Sequence, residues 1–248
     1  MNKNNFLQGK NILITGASSG IGRTLTKNLS KFGANIIMLS KNEKKLDAIY
    51  DEIKEKCKTD PCILKCNLID LDENKSKEIA NVILENYKNL DAIIHNAAIL
   101  EKISNIENYD VKTWEKVLKV NLTSSFILSK YLIPLMSSSL NPRIIFTTSS
   151  VGKKGKAYWG AYSVSKAGIN ALSQILSDEL ETISSIKVFN FDPKGTQTAM
   201  RSLAYPAEDP DSQKKPDSLI EYYLWMLSED SSSSKDRYIE FGQKIKTK

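Results

Sequence analysis

Short apolar runs alternate along the chain with segments in which apolar residues recur at helical spacing. The runs predict seven β-strands, with cores at residues 12–14, 36–39, 62–64, 92–94, 144–147, 186–189 and 238–241. The helical spacing predicts helices through residues 25–32, 46–53, 79–87, 111–136 and 158–181, the fourth bent or terminated near Pro134. Strict alternation of apolar strands with helices predicts an α/β fold, a parallel sheet covered on both faces. Right-handed crossovers then make the expected topology doubly wound.

We expect one domain over residues 1–248, because no linker rich in Gly, Pro or Ser and no internal repeat interrupts the alternation. A length of 248 residues is ordinary for a single α/β domain. The segment 193–218 departs from the pattern and contains Pro193, Pro206, Pro210 and Pro216. It predicts a loop or partly helical flap at about 196–216 rather than a second domain.

The charge balance suggests an anionic partner. Lys and Arg number 35 against 29 Asp and Glu, a formal net charge of +6. The lysines are scattered along the helices and form no stripe with aromatics, so nucleic acid is not an expected partner. No stretch approaches the roughly 18 apolar residues of a membrane span, and the first ten residues lack the apolar run of a signal peptide. We therefore expect a cytoplasmic protein without membrane contact.

The residues available for catalysis are restricted. His95 is the single histidine, which excludes a multi-histidine metal site and disfavours a histidine-dependent hydrolase. The three cysteines, Cys57, Cys62 and Cys66, lie within ten residues without a fourth nearby ligand, and we interpret them as free, structurally incidental thiols. No metal is expected. Acid–base chemistry therefore has to use other side chains.

A glycine-rich turn follows the first strand and precedes the first helix, in the sequence Thr-Gly-Ala-Ser-Ser-Gly-Ile-Gly of residues 15–22. Gly16 allows a tight turn, and Gly20 and Gly22 allow close approach to a pyrophosphate at a helix N-terminus. The spacing is G-x-x-x-G-x-G rather than G-x-G-x-x-G, so a purely structural turn is the alternative. The position after strand one favours a Rossmann-like dinucleotide site. The predicted contacts are Gly16, Ser18, Ser19, Gly20, Ile21 and Gly22.

The end of the second strand bears on which dinucleotide binds. NAD sites commonly place an acidic residue there for the ribose hydroxyls, whereas a 2′-phosphate requires a cation. Here the strand is followed by Ser40 and Lys41, and no carboxylate occurs before Glu43. The prediction is NADP in preference to NAD, with Ser40 and Lys41 as contacts. A solvated lysine at a helix start is the alternative interpretation.

A reactive group is predicted at the start of the helix through 158–181. Tyr162 and Lys166 share one face at i and i+4. A tyrosine, with an ordinary pKa of about 10, becomes a usable acid or base when cations stabilise its phenolate. Lys166 and an oxidised nicotinamide would supply them. Ser149 ends the fifth strand, at the sheet edge where ligands bind in such folds.

These motifs, in this order, resemble the short-chain dehydrogenase/reductase family over nearly the whole chain, and more narrowly the YciK-type bacterial oxidoreductases. The resemblance implies that Tyr162 donates or accepts a proton and that Lys166 holds the nicotinamide ribose and lowers the tyrosine pKa. It also implies that Ser149 polarises the substrate carbonyl, and that Asn121 holds a water linking Lys166 to solvent. The further cofactor contacts it implies are Asn67, Leu68, Asn96, Ala97, Pro193, Gly195 and Thr196, with Tyr162 and Lys166.

The chain departs from the family pattern at three places. Ala98 stands where the family has Gly, and Asn67 where an Asp is usual near the adenine. Lys194 follows Pro193 where the family has Gly, and Gly195 comes one position later. The last departure is expected to shift the loop that contacts the carboxamide.

The expected function is hydride transfer between NADP(H) and a carbonyl or secondary-alcohol substrate. A narrower alternative is reduction of a 3-oxoacyl group on an acyl carrier protein. The basic residues Lys153, Lys154 and Lys156 could attract such an acidic carrier, and a solvated surface is the favoured alternative interpretation of these lysines. A nucleotide-sensing or scaffold protein with little turnover is the alternative of another class. The flap, with Met200, Leu203 and Tyr205, is expected to line or cover the pocket, and these apolar residues suggest a partly apolar substrate. The resemblance implies a homodimer or homotetramer formed through the helices at 111–136 and 158–181.

Overall fold

The computed structural model describes residues 6–245, and within them seven parallel strands form one sheet in the order β3-β2-β1-β4-β5-β6-β7. This confirms the predicted doubly wound α/β fold. The strands are β1 (Asn11–Thr15), β2 (Asn35–Ser40), β3 (Cys62–Lys65), β4 (Ala92–His95), β5 (Arg143–Thr147), β6 (Lys187–Asp192) and β7 (Tyr238–Glu240). The α-helices are α1 (Gly20–Lys31), α2 (Glu43–Lys56), α3 (Glu73–Tyr87), α4 (Val111–Leu118), α5 (Ser124–Leu132), α6 (Ser150–Lys153), α7 (Gly160–Glu181), α8 (Ala199–Ala204) and α9 (Ile220–Leu227).

The sheet has an apolar core on each face. Alternate strand residues point to opposite faces, so Ile12 and Ile14 pack in one core while Leu13 packs in the other. Helices α1, α2 and α9 cover the first face, and α3, α5 and α7 cover the second. Strand β1 lies between β2 and β4, so the chain reverses its direction of progress through the sheet there. In such folds the crevice at the carboxyl ends of these strands binds ligands.

Some element boundaries differ from the prediction, and one predicted helix is divided. The helix expected over 111–136 contains a π-helical turn at Lys119–Thr123 and ends as a 3-10 turn at Ile133–Met136, which confirms the interruption near Pro134. The helix expected from 158 begins at Gly160, because Tyr158 takes a left-handed φ of 71°. Strand β6 continues three residues beyond 189, to Asp192.

The segment predicted as a flap is partly helical. It contains α8 and a 3-10 turn at Pro210–Ser212, and Thr198 caps α8 by accepting a hydrogen bond from the Arg201 amide at 3.2 Å. A short parallel bridge pairs Thr196 with Lys214 and joins the two ends of this segment. None of the helices described within 6–245 combines the length and apolar character needed to cross a bilayer.

A buried arginine ties the core to the segment before β7. Arg143, at the start of β5, is 1% exposed, and its guanidinium donates to the carbonyls of Met226 at 2.9 Å and Ser228 at 3.1 Å. It also donates to the Ser232 hydroxyl at 2.7 Å. Burial lowers the pKa of Arg143 to about 10, so the group is still charged at neutral pH.

We expect Arg143→Met to destabilise the protein by about 4 kcal/mol, because it removes four hydrogen bonds that a buried guanidinium donates. At this chain length that loss lowers Tm by roughly 10 °C. Thermal melts followed by circular dichroism measure the effect, with the exposed Arg23→Met as control. An Arg143→Met variant that melts with the wild type would show that these hydrogen bonds contribute little.

Candidate active site

A cleft of about 840 Å³ opens at the carboxyl ends of the strands and contains nearly all of the predicted site residues. The glycine turn and the Ser149-Tyr162-Lys166 group, which were predicted separately, line the same cleft. The predicted residues that line it are Gly16, Ser18, Ser19, Gly20, Ile21, Ser40, Lys41, Asn67, Leu68, Asn96, Ala97, Ser149, Tyr162, Lys166, Pro193, Gly195 and Thr196. Gly22 and Asn121 do not line the cleft.

Two glycines of the turn, Gly16 and Gly22, have no room for a side chain. Gly16 has a φ of 69°, and a Cβ there would lie 3.0 Å from the Cα of Ala97. A Cβ on Gly22 would lie 2.2 Å from the Gly16 carbonyl oxygen, so Gly22 permits α1 to pack against the turn. The Ser19 side chain makes no capping hydrogen bond to α1. The amide groups of the first turn of α1 are therefore free to bind an anion at the cleft.

A basic segment follows β2 and extends into the first turn of α2. The hydroxyls of Ser18 and Ser40 hydrogen bond at 2.7 Å, which fixes the turn against β2. Lys41 is exposed at the cleft, and Lys45, one helical turn further, also lines it. The sequence prediction missed Lys45, although its i+4 spacing from Lys41 was a usable signal. The nearest carboxylate, Glu43, is outside the cleft lining and pairs with Lys65 at 2.7 Å.

Tyr162 and Lys166 are both buried on α7, and the Lys166 Nζ lies 5.6 Å from the Tyr162 ring centroid. The Lys166 ammonium donates to the Thr147 carbonyl at 2.8 Å. Burial lowers the pKa of Lys166 to about 8, against an opposing effect of Asp192. Burial also raises the pKa of the Tyr162 phenol, and the Asp192 carboxylate raises it further. In the protein alone the Tyr162 phenol is therefore neutral at neutral pH.

Asn121 lies within the π-helical turn and is 1% exposed. Its side chain accepts from the Ile99 amide at 2.8 Å and donates to the Ile99 carbonyl at 2.9 Å and the Ser165 hydroxyl at 3.1 Å. These bonds tie the loop after β4 to α7. The structure thus gives the side chain a positioning role, and the predicted water-holding role stays a prediction.

The loop after β6 contains a charged network that the sequence reasoning missed. Asp192 is buried at the end of β6 and lies 3.1 Å from the Lys194 ammonium, which is also 2.8 Å from Glu240 on β7. Glu240 in turn pairs with Lys153 at 2.5 Å. Lys194 takes a φ of 54°, so it keeps the left-handed backbone conformation that glycine would favour. A residue of this kind costs about 1–3 kcal/mol in backbone strain, which these ion pairs offset in part.

The flap contributes to the cleft less completely than predicted. Met200 and Tyr205 line it, but Leu203 does not and is 58% exposed. Leu203 lies outside the cleft lining because α8 turns that side chain outward. Trp159, which the sequence reasoning did not assign, lines the cleft beside Tyr162.

His95 lies outside the cleft lining. It is buried at the end of β4, stacks on Phe146 with ring centroids 4.7 Å apart, and its Nε2 lies 3.0 Å from the Ser129 hydroxyl. Burial lowers its pKa from 6.5 to about 3, so the imidazole is neutral in the folded protein at neutral pH. Its environment is that of a core residue.

This burial makes stability depend on pH with a defined sign. The unfolded chain binds a proton at His95 below pH 6.5, whereas the folded protein does not until about pH 3. The contribution of neutral His95 to the free energy of unfolding is therefore complete above pH 6.5. It is lost as the pH falls, at about 1.4 kcal/mol per pH unit. When the pH is lowered from about 7 to 5, we expect the free energy of unfolding, measured with urea, to fall by about 2 kcal/mol more in the wild type than in His95→Asn. Equal losses would contradict a neutral buried imidazole.

Comparisons with known proteins agree with this geometry. The family model for short chain dehydrogenases matches residues 10–209. The oxidoreductase YciK of Escherichia coli K12 is 36% identical over 229 residues, which are 92% of this chain and 90% of that protein. The 3-oxoacyl-[acyl-carrier-protein] reductase FabG of Rickettsia typhi is 35% identical over 174 residues, 70% of this chain and 68% of that protein.

A solved structure shares nearly the whole fold. The crystal structure of a short chain dehydrogenase from Shigella flexneri 2a, complexed with NADP, superimposes with a TM-score of 0.92 at 34% identity. The match covers 96% of this chain and 98% of that one.

Proposed function

The chain belongs to the short-chain dehydrogenase/reductase family, and from that premise we propose that it transfers a hydride between NADP(H) and a carbonyl or secondary-alcohol substrate. The observation that carries the proposal is a single cleft in which Tyr162, Lys166 and Ser149 face a glycine turn at a helix N-terminus. A sensor or scaffold would need the turn but not a buried Tyr-Lys pair.

The residues present fit a phosphorylated dinucleotide. A Cβ would fill the cradle at Gly16, and the first-turn amides of α1 have no side-chain cap. Lys41 and Lys45 place two cations beside Ser40, where a 2′-phosphate would lie. NADP is bound by the similar Shigella flexneri protein. We therefore propose NADP(H) in preference to NAD(H), held by the predicted contacts and by Lys45.

The catalytic roles follow from the geometry of the cleft. The cofactor supplies the hydride when it is bound. Burial keeps the Tyr162 phenol protonated, so that it donates a proton to the substrate oxygen in carbonyl reduction, and its phenolate accepts one in alcohol oxidation. Lys166 places a positive charge 5.6 Å from the ring, which stabilises the phenolate left behind. The Ser149 hydroxyl donates a hydrogen bond to the carbonyl oxygen and orients it.

The test is NADPH oxidation, followed at 340 nm, against a panel of aldehydes, ketones and acyl thioesters, with NADH in parallel. We expect turnover with at least one carbonyl compound and a preference for NADPH. NADPH binding without turnover of any panel member would favour the sensor or scaffold alternative.

A second candidate function is reduction of a 3-oxoacyl thioester, favoured by the similarity to the Rickettsia typhi enzyme. Acetoacetyl-coenzyme A in the same panel tests it. If this function is correct, the thioester should be a better substrate than aldehydes and ketones of similar size.

We also propose a homodimer or homotetramer formed through α4–α5 and α7. These helices expose Phe126 and Val164, which are about half accessible. Light scattering coupled to size-exclusion chromatography tests this. A cytoplasmic location stays a prediction.

A further inference from the structure

Aromatic rings form a wall that leads from the reactive tyrosine to the mouth of the cleft. The Trp159 ring centroid lies 5.7 Å from that of Tyr162 and 5.9 Å from that of Tyr205 on the flap. Leu100, Val151 and Met200 pack around the same cluster. A substrate that reaches Tyr162 therefore passes along an apolar surface about two rings long.

A lysine stands at the outer end of this wall. The Lys156 Nζ lies 3.0 Å from the Tyr205 hydroxyl, 5.4 Å from the centroid of that ring and 5.7 Å from the centroid of Trp159. Lys156 is exposed and lines the cleft. Of the three basic residues predicted to attract a carrier protein, it alone lies on the cleft, since Lys154 does not line it and Lys153 pairs with Glu240.

The other charges around this part of the cleft are already neutralised. Within residues 6–245 the cleft-lining ion pairs join Lys116 to Glu101 at 2.7 Å, Arg201 to Glu208 at 2.6 Å, and Lys194 to Asp192. Lys156 takes part in none of the ion pairs described over that range, and Lys41 and Lys45, which also take part in none, lie at the opposite, cofactor end. Apart from the buried Lys166 beside Tyr162, the substrate end, as far as residues 6–245 describe it, therefore presents one cation without a carboxylate partner.

We propose that the substrate is a small carbonyl compound with a flat apolar body and an anionic group, and that Lys156 binds that anion. The inference rests on the proposed function and names its substrate class. The carbonyl lies at Tyr162, the apolar body stacks on Trp159, and the anion meets Lys156 beside Tyr205. An acyl chain on a phosphopantetheine arm fits less well, because its phosphate lies a full pantetheine length beyond the thioester, whereas Lys156 is only about two rings from Tyr162.

The experiment compares an anionic probe, 4-carboxybenzaldehyde, with its neutral methyl ester, methyl 4-formylbenzoate, which has the same aromatic aldehyde body. KM is measured with NADPH, and Kd is measured by calorimetry on the NADP-bound Tyr162→Phe protein, so that binding is read without turnover. Each measurement uses the otherwise unchanged protein, Lys156→Gln, Lys156→Glu and the exposed control Lys154→Gln.

We expect Lys156→Gln to raise the KM and Kd of the acid about fivefold, as loss of one partly exposed ion pair implies, and to leave those of the ester unchanged. Lys156→Glu should raise the KM and Kd of the acid at least tenfold. Equal effects on both probes, an equal effect of Lys154→Gln, or no selective binding of the acid would overturn the inference. Selective binding of the acid without turnover by the wild type, for these probes and the whole panel, would support the substrate class while contradicting the proposed function.

Discussion

Tyr162→Phe should lower kcat for carbonyl reduction by 10²- to 10⁴-fold while leaving the Kd of NADPH nearly unchanged. The phenol is the proposed proton donor, and removing a positioned general acid typically costs this much. The ring itself is buried and packs against Trp159, and phenylalanine retains those contacts. The loss should therefore appear in turnover rather than in folding or cofactor binding. Steady-state kinetics and NADPH fluorescence titration measure the two quantities.

The chain offers a matched control four residues away. Tyr158 is 60% exposed and does not line the cleft, so Tyr158→Phe removes the same hydroxyl from a neighbouring position. We expect it to keep wild-type kcat and KM. If Tyr162→Phe retained wild-type kcat, Tyr162 would not be the proton donor and the mechanism proposed above would be wrong.

The fold was predictable because its signals are local. Short apolar runs such as residues 12–14 and 144–146 belong to strands that the structure buries on both faces. The helix spacing of Leu46, Ile49 and Ile53 identifies the buried side of α2. Alternation of these two patterns leaves few topologies, since parallel strands require right-handed crossovers.

The features that the sequence did not predict depend on contacts distant along the chain. Polar Asn190 and Asp192 ended the predicted sixth strand too early, yet pairing with β7 extends the strand to Asp192. The π-helical turn is centred on Asn121, whose bonds reach back to Ile99 and across to Ser165. Neither interaction leaves a periodic signal in the sequence.

Lys194 illustrates how a departure from a family pattern is accommodated. Its replacement of glycine was expected to shift the loop after β6. That shift stays a prediction. Lys194 takes the left-handed conformation that glycine favours, and its side chain connects Asp192 to Glu240. Asp192 raises the pKa of Tyr162 and opposes the lowering of the Lys166 pKa by burial. The ion pair of Asp192 with Lys194 therefore also affects the charge around the reactive groups.

Lys41→Asp should reverse the cofactor preference. A cation beside a 2′-phosphate contributes a charge-assisted hydrogen bond, whereas a carboxylate repels the phosphate and can accept from the ribose hydroxyls of NAD. Lys41 lies at the cleft directly after β2, in the position that decides this choice. We expect kcat/KM for NADPH to fall on the order of 10- to 100-fold, with NADH improved or unchanged.

The neighbouring lysines separate a specific contact from general electrostatic attraction. Lys44 is exposed on the same turn of α2 but does not line the cleft, so Lys44→Asp changes the net charge equally and should leave the NADPH/NADH ratio intact. Lys45 does line the cleft, and Lys45→Asp should lower kcat/KM for NADPH relative to NADH, as Lys41→Asp does. Equal effects at positions 41 and 44 would mean that the positive field of the protein attracts the phosphate. Selectivity confined to 41 and 45 would mean that the 2′-phosphate is bound between these two side chains.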